Sequence, residues 1–130
     1  MQSSDQSSKQ GPSLKARALR LLSRRDYSRK ELAHKLFQTV TQKSADVPND
    51  LEEQIEKVLS EFEKQGWLSD SRYAEALVRR RSQRYGMRRV TEELQRAGIE
   101  QSTISRLSQD LKDTEFERAH ALWEIGRAHV

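Results

Sequence analysis

The chain has 130 residues, 34% of them hydrophobic and 34% charged, no cysteine, and a formal net charge of +4. The missing cysteines exclude disulfides, thiol catalysis and cysteine-based zinc sites, and no apolar run approaches the roughly 20 residues needed to cross a bilayer. A core this sparse has to be assembled from apolar stripes on helices, so an all-α fold is expected, as one compact domain or a short array of helical repeats.

Residues 1–12 are polar and Ser/Gln-rich, unlike a basic-then-apolar signal peptide, and are expected to form a disordered tail on a cytoplasmic protein. Ser13 is a good N-cap, and Leu14, Ala18, Leu21 and Leu22 share one face of a first helix that stops near Arg25 and Asp26. Ser28-Arg29-Lys30-Glu31 has the capping-box pattern, in which hydroxyl and carboxylate each accept from a free backbone N–H. It opens a second helix with Leu32, Leu36 and Phe37 inward. The polar stretch 39–49, with Pro48, is expected to be a loop. Leu51, Ile55, Val58, Leu59 and Phe62 form the cleanest stripe, on a third helix from Asn49 or Asp50, and Gly66 ends it with Trp67 or Leu68 folding back.

Ser69 and Asp70 cap a fourth helix through Tyr73, Ala74, Leu77 and Val78, closed by Gly86. Val90 and Leu94 mark a fifth helix ending at Gly98; Ile104, Leu107 and Leu111 mark a sixth, and Phe116, Ala119 and Leu122 a seventh. An offset of 58 residues superposes Ala18 on Ala76, Leu19 on Leu77, Tyr27 on Tyr85, Ser28 on Gly86, Leu32 on Val90 and Leu36 on Leu94. The third helix then matches the sixth through Ile55 with Ile104, Val58 with Leu107 and Phe62 with Leu111. The expected organisation is thus a tail over 1–12, tandem three-helix repeats over 13–66 and 67–112, and the start of an incomplete third repeat over 113–130. Gly126–Val130 continues no stripe and reads as a natural end, a truncation or a scar. A half-built repeat exposes an apolar face, which predicts marginal stability or self-association.

Charge is segregated along the chain. Residues 14–35 hold eight Lys/Arg against two acids, 72–96 eight Arg against three, and the intervening 44–70 two Lys against eight acids. This pattern suits a partner that is itself charged, such as a nucleoprotein filament. The strongest local feature is Arg79, Arg80, Arg81, Arg84, Arg88 and Arg89. At helical spacing Arg80, Arg81 and Arg84 prolong the stripe of Tyr73 and Leu77, and at the 58-residue offset Arg80 replaces Leu22, as if the second unit gave up core for charge. Guanidinium forks bind carboxylates or phosphates, so the cluster is a candidate contact for acidic side chains or a nucleic-acid backbone. The plainer reading is a solvated helix face. The earlier set Arg24, Arg25, Arg29 and Lys30 invites the same reading, although cations near a helix C-terminus also have a local electrostatic reason.

No phosphate loop, dinucleotide fingerprint or nucleophile elbow occurs, so no catalytic residue and no cofactor is assigned. Glu31 with His34 and Glu117 with His120 have the spacing of di-iron ligands, but two further inward Glu on long helices are wanting. Trp67, Trp123, Tyr27 and Tyr85 could stack on bases, with core packing and helix-corner anchoring as the plainer assignments.

Residues 18–25 through Ser28-Arg29-Lys30-Glu31-Leu32, and Gly66-Trp67-Leu68-Ser69-Asp70-Ser71-Arg72-Tyr73-Ala74 through Gly86, Glu93-Leu94 and Gly98-Ile99, resemble the RecX recombination regulators in order and spacing. The resemblance implies three tandem three-helix units in an elongated, curved, right-angled array that lodges in the groove of RecA filaments on single-stranded DNA. It also implies inhibition of strand exchange, of RecA's ATPase and of its coprotease role in the SOS response. RecA, and DNA directly, are the partners expected, with no membrane and no small-molecule substrate. A stand-alone helical nucleic-acid-binding module is the alternative. The sequence departs from the family in a long 39–49 segment and a curtailed third unit.

Overall fold

The computed structural model describes residues 13–43 and 46–128, the last three as backbone alone. The tail expected over 1–12 and the side chains of Gly126–Val130 therefore lie outside the described residues. Among the described residues the regular structure is helical throughout: α1 (Leu14–Arg24), α2 (Arg29–Lys43), α3 (Leu51–Lys64), α4 (Asp70–Arg81), α5 (Met87–Arg96) and α6 (Gln101–Ala128). None of these helices is long and apolar enough to cross a membrane. The chain divides into two compact units, Met1–Tyr73 and Ala74–Val130, with the division inside α4.

Unit one packs α1, α2 and α3 against one another. Its core comprises Ala18, Tyr27, Leu32, Leu36, Leu51, Ile55, Val58, Leu59, Phe62 and Leu68, flanked by the half-buried Leu14, Leu21, Leu22, Ala33 and Val40. Ser13 Oγ accepts the amide of Ala16 and starts α1. Ser28 and Glu31 form the expected capping box on α2: Ser28 Oγ accepts from Glu31 N at 3.1 Å, and Glu31 Oε1 from Ser28 N at 3.2 Å. At the end of α3, Gly66 takes φ +79°, and the amides of Trp67 and Gly66 donate to the carbonyls of Phe62 and Glu63. These two bonds close a Schellman turn, which requires the left-handed conformation that glycine supplies. Trp67 then lies edge-on to Phe62, with ring centroids 5.3 Å apart.

Two interactions tie the start of α4 into unit one. The backbone N–H of Arg29 donates to Asp70 Oδ1 at 2.8 Å, supplying an acceptor to the first turn of α2 from 41 residues away. Arg72 reaches Asp26 through Nε and the carbonyls of Gly66 and Trp67 through its two terminal nitrogens.

In unit two Ala74, Leu77, Val78, Val90, Leu94, Ala97, Ile99, Ile104 and Leu107 are buried. Gly98, at φ +80°, closes α5 with the same pair of turn bonds as Gly66, from Ile99 to Leu94 and from Gly98 to Gln95. The two units are kin, but burial corrects the register. Leu19 is 44% exposed where Leu77 is 3% exposed, so the 58-residue offset fails in the first helix of each unit. An offset of 56 residues places buried Ala18 on buried Ala74 and the core-facing Leu21 and Leu22 on Leu77 and Val78. The 58-residue offset resumes at Tyr27 with Tyr85, Leu32 with Val90 and Leu36 with Leu94, because the stretch from Arg81 to Tyr85 is two residues longer than that from Arg25 to Tyr27. Arg80 and Arg81 thereby correspond to Arg24 and Arg25, and neither takes the place of a core leucine.

Two boundaries and one burial also differ from expectation. Helix α2 runs on to Lys43, through half of the expected loop, because Val40 packs on the core and the Thr39 and Thr41 hydroxyls donate back to carbonyls of the preceding turn. Phe37, expected inward, is 38% exposed. The expected sixth and seventh helices are one helix of 28 residues: Lys112 to Glu115 offers no Gly or Pro to stop it. Beyond Leu111 its apolar residues Phe116, Leu122, Trp123 and Ile125 are exposed.

Candidate partner-binding site

The second arginine set lies at one corner of unit two, where α4 ends, a short turn intervenes, and α5 begins. Arg79 and Arg80 are exposed on the last turn of α4, as is Arg84 in the turn; among the described residues none of the three forms an ion pair. Arg81 is half-buried, and its Nη1 donates to Glu93 Oε1 at 3.1 Å, fastening the end of α4 to α5. Arg88, on the first turn of α5, has its Nε 3.8 Å from Glu92 Oε1, and its side chain is 95% exposed. Such a pair in open solvent contributes little.

Tyr85 is the hub of this corner. Its half-buried ring has the Arg89 guanidinium 4.1 Å from the centroid, with those of Arg84 and Arg81 at 5.7 Å and 6.0 Å. Cation–π attraction on the ring orients these side chains at low entropic cost. Residues 79–89 contain six arginines and no acid.

The earlier set is divided differently. Arg24 and Lys30 are exposed. Arg25 stacks on buried Tyr27 at 3.7 Å from the ring centroid and approaches Glu31 Oε1 to 3.5 Å. Arg29 is engaged within unit one: Nη2 donates to Glu56 Oε1 at 2.7 Å and Ser60 Oγ at 3.1 Å, and Nη1 is hydrogen-bonded to Glu63. The hydrogen bond this guanidinium donates to Glu56 holds it above its ordinary pKa against the opposing effect of burial. A group so held stays charged wherever the fold persists. Replacing Arg29 by Ala should remove about 2 kcal/mol of stability, the cost of several charge-assisted hydrogen bonds in a partly shielded site. Arg29→Lys should recover only part of it, since an ammonium cannot span both glutamates. Urea unfolding followed by circular dichroism measures both.

Among the described residues no three His, Asp or Glu are placed to share a metal ion. The arrangement presents a group of cations, three of them set against the Tyr85 ring.

Two family models match the chain: RecX, first three-helix domain, over residues 15–39, and RecX, second three-helix domain, over residues 69–112. The regulatory protein RecX of Herminiimonas arsenicoxydans is 38% identical over 111 residues, which cover 85% of this chain and 68% of that protein. The chain belongs to the RecX family. The RecX protein of Ralstonia pickettii (strain 12J) is 42% identical over 113 residues, and that of Herbaspirillum seropedicae 45% over 107 residues. These matches take in 86% and 82% of this chain but 65% and 64% of the relatives, so the chain spans less than two thirds of either. No solved structure matches it. The six arginines of the Tyr85 corner all fall within the stretch matched to the second RecX domain, and Arg24, Arg25, Arg29 and Lys30 within the first.

Sequence reasoning located both basic sets but missed Tyr85 as the hub of the second. It also missed what has become of the capping box there: the positions of Ser28 and Glu31 are held in unit two by Gly86 and Arg89. The signal was present at the 58-residue offset.

Proposed function

We propose that this RecX-family chain acts without chemistry of its own, binding RecA assembled on single-stranded DNA in the cytoplasm. There it restrains the recombinase, ATPase and coprotease activities in DNA repair and the SOS response. Family membership supports the regulatory role, and the corner around Tyr85 supports the charged partner: six arginines without an intervening acid, four of them without an ion pair among the described residues. Arg79, Arg80, Arg84, Arg88 and Arg89 form the contact surface, with Arg24 and Lys30 as a second patch, while Arg29 and Arg81 hold the scaffold.

Titration of the protein into RecA filaments on single-stranded DNA, read as ATP hydrolysis, tests the proposal. The rate should fall with added protein and saturate; a rate unchanged at large excess removes the function. The acid-free arginine run also suits a stand-alone nucleic-acid-binding module. That reading requires tight, salt-sensitive binding to DNA without RecA and no effect on the filament's ATPase.

A further inference from the structure

Unit one carries a groove and, on another of its helices, a face that matches it. The groove, of about 510 Å³, is lined from α2 by Ala33, His34 and Phe37 and from α3 by Glu52, Ile55 and Glu56. Its lining is thus apolar at Ala33, Phe37 and Ile55, with Phe37 left 38% exposed, and acidic at the rim. Glu56 is shared with Arg29, whereas the exposed Glu52 forms no ion pair among the described residues.

The matching face is on α1. That helix holds Lys15, Arg17, Arg20 and Arg24 and no acid. Ala16, Leu19, Arg20 and Ser23 are exposed and recur at the three- and four-residue spacing of one helix face. Leu19 is the large apolar side chain there, 44% exposed, with a small residue one turn before it and another one turn after. Ser23 Oγ already donates to the carbonyl of Arg20, so burying that hydroxyl leaves no donor unmet. Small residues on either side of one leucine let a helix lie deep in a groove, with its cations at the rim.

We propose that α1 of one copy of this chain seats in the groove between α2 and α3 of a second copy, with Leu19 against Phe37 and Ile55 and with Arg20 and Arg24 toward Glu52 and Glu56. Four residues of helix rise about 6 Å, so the two arginines and the two glutamates are spaced alike along their helices. Opposite charges at the rim set the register, and withdrawing Leu19 and Phe37 from water supplies the attraction. The two surfaces are different, so the contact is heterologous: a joined pair still offers one vacant groove and one vacant α1, and further copies can add. One helix on one groove is a small interface, for which a Kd on the order of 10–100 μM is expected. The contact lies wholly within unit one and goes beyond the partner proposed above.

Sedimentation velocity of the full chain, freed of nucleic acid, tests the proposal over a dilution series that brackets this Kd. At low salt the weight-average sedimentation coefficient should rise with concentration, and high salt should flatten the rise. Arg20→Glu/Arg24→Glu on α1 and His34→Lys/Glu52→Lys at the groove alter only exposed side chains, and each should weaken association about tenfold or more. Mixing the two variants should restore it, because each acidic surface of one then meets a basic surface of the other. Should either variant lose its helical circular dichroism, Leu19→Ser, which removes only the apolar anchor, should still weaken association about fivefold.

A sedimentation coefficient constant across the series overturns the proposal. Association that persists in both charge-reversed variants, or that their mixture does not restore, overturns it as well. Association lost in Phe116→Ser/Trp123→Ser but kept in the α1 and groove variants would assign the contact to the exposed end of α6 instead.

Discussion

Replacing Phe62 by Ala is expected to lower the unfolding free energy of unit one by about 3–5 kcal/mol, the usual range for emptying a buried aromatic site. Phe62 is 1% exposed, lies on the stripe of α3 with Ile55, Val58 and Leu59, and meets the edge of Trp67. Its truncation leaves a void in the core and takes away the ring against which the chain folds back after Gly66. In a unit of this size each kcal/mol corresponds to about 4–8 °C in melting temperature, so a fall of roughly 12–40 °C should appear in circular dichroism. Phe62→Leu, which keeps most of the volume, should lose under half as much. Equal melting temperatures for Phe62→Ala and the parent chain would mean that α3 does not organise the unit's core.

The second large effect concerns binding. Changing Arg79, Arg80, Arg84 and Arg88 together to Glu should weaken association with RecA filaments by about a hundredfold or more at low salt, with most of the loss in the association rate. These side chains are exposed and belong to no core cluster, so the helical circular dichroism signal should not change. Each reversal removes an attraction and adds a repulsion toward an anionic partner, and the defect should shrink as salt screens it. Arg81 is left out because its bond to Glu93 fastens α4 to α5. Undiminished binding by the quadruple variant, measured by surface plasmon resonance on assembled filaments, would place the contact elsewhere.

Where apolar spacing and glycine stood together, the fold was legible in the sequence. Leu51 to Phe62 followed by Gly66, and Val90 and Leu94 followed by Gly98, specify a buried helix face and a left-handed stop, and both are found. The expected break after Leu111 had no such punctuation. Apolar spacing alone cannot separate two short helices from one long helix whose far end is exposed, and α6 is the latter. The repeat was visible, but its register in the first helix depended on which leucine was inward. The stripe of Leu14, Ala18, Leu21 and Leu22 put Leu22 inward while the 58-residue offset put Leu19 on the buried Leu77, and exposure decides for the stripe.

The candidate site was legible as a composition and illegible as a division of labour. Neighbours at three and four residues can be checked along a helix: Arg80 lacks an acid there, whereas Arg79 has Glu75, which the fold sets 3.8 Å from Arg106 instead. Arg29 finds Glu56 and Glu63 on another helix, and Arg81 finds Glu93 across a turn. Those partnerships depend on packing, which no local pattern encodes. The contrast between Ser28 with Glu31 and Gly86 with Arg89 was written in the sequence, but its meaning required the knowledge that both pairs begin equivalent helices.

The bond from the Arg29 amide to Asp70 bears on where this polypeptide can be divided. Gly66 looks like a natural seam, yet a fragment stopping there would forfeit Asp70, and with it Arg72, which braces Asp26 and the carbonyls just past the seam. A self-sufficient first module has to carry the opening turn of α4 with it. Anyone dissecting the protein piece by piece should cut after Tyr73 and leave the glycine intact inside the fragment.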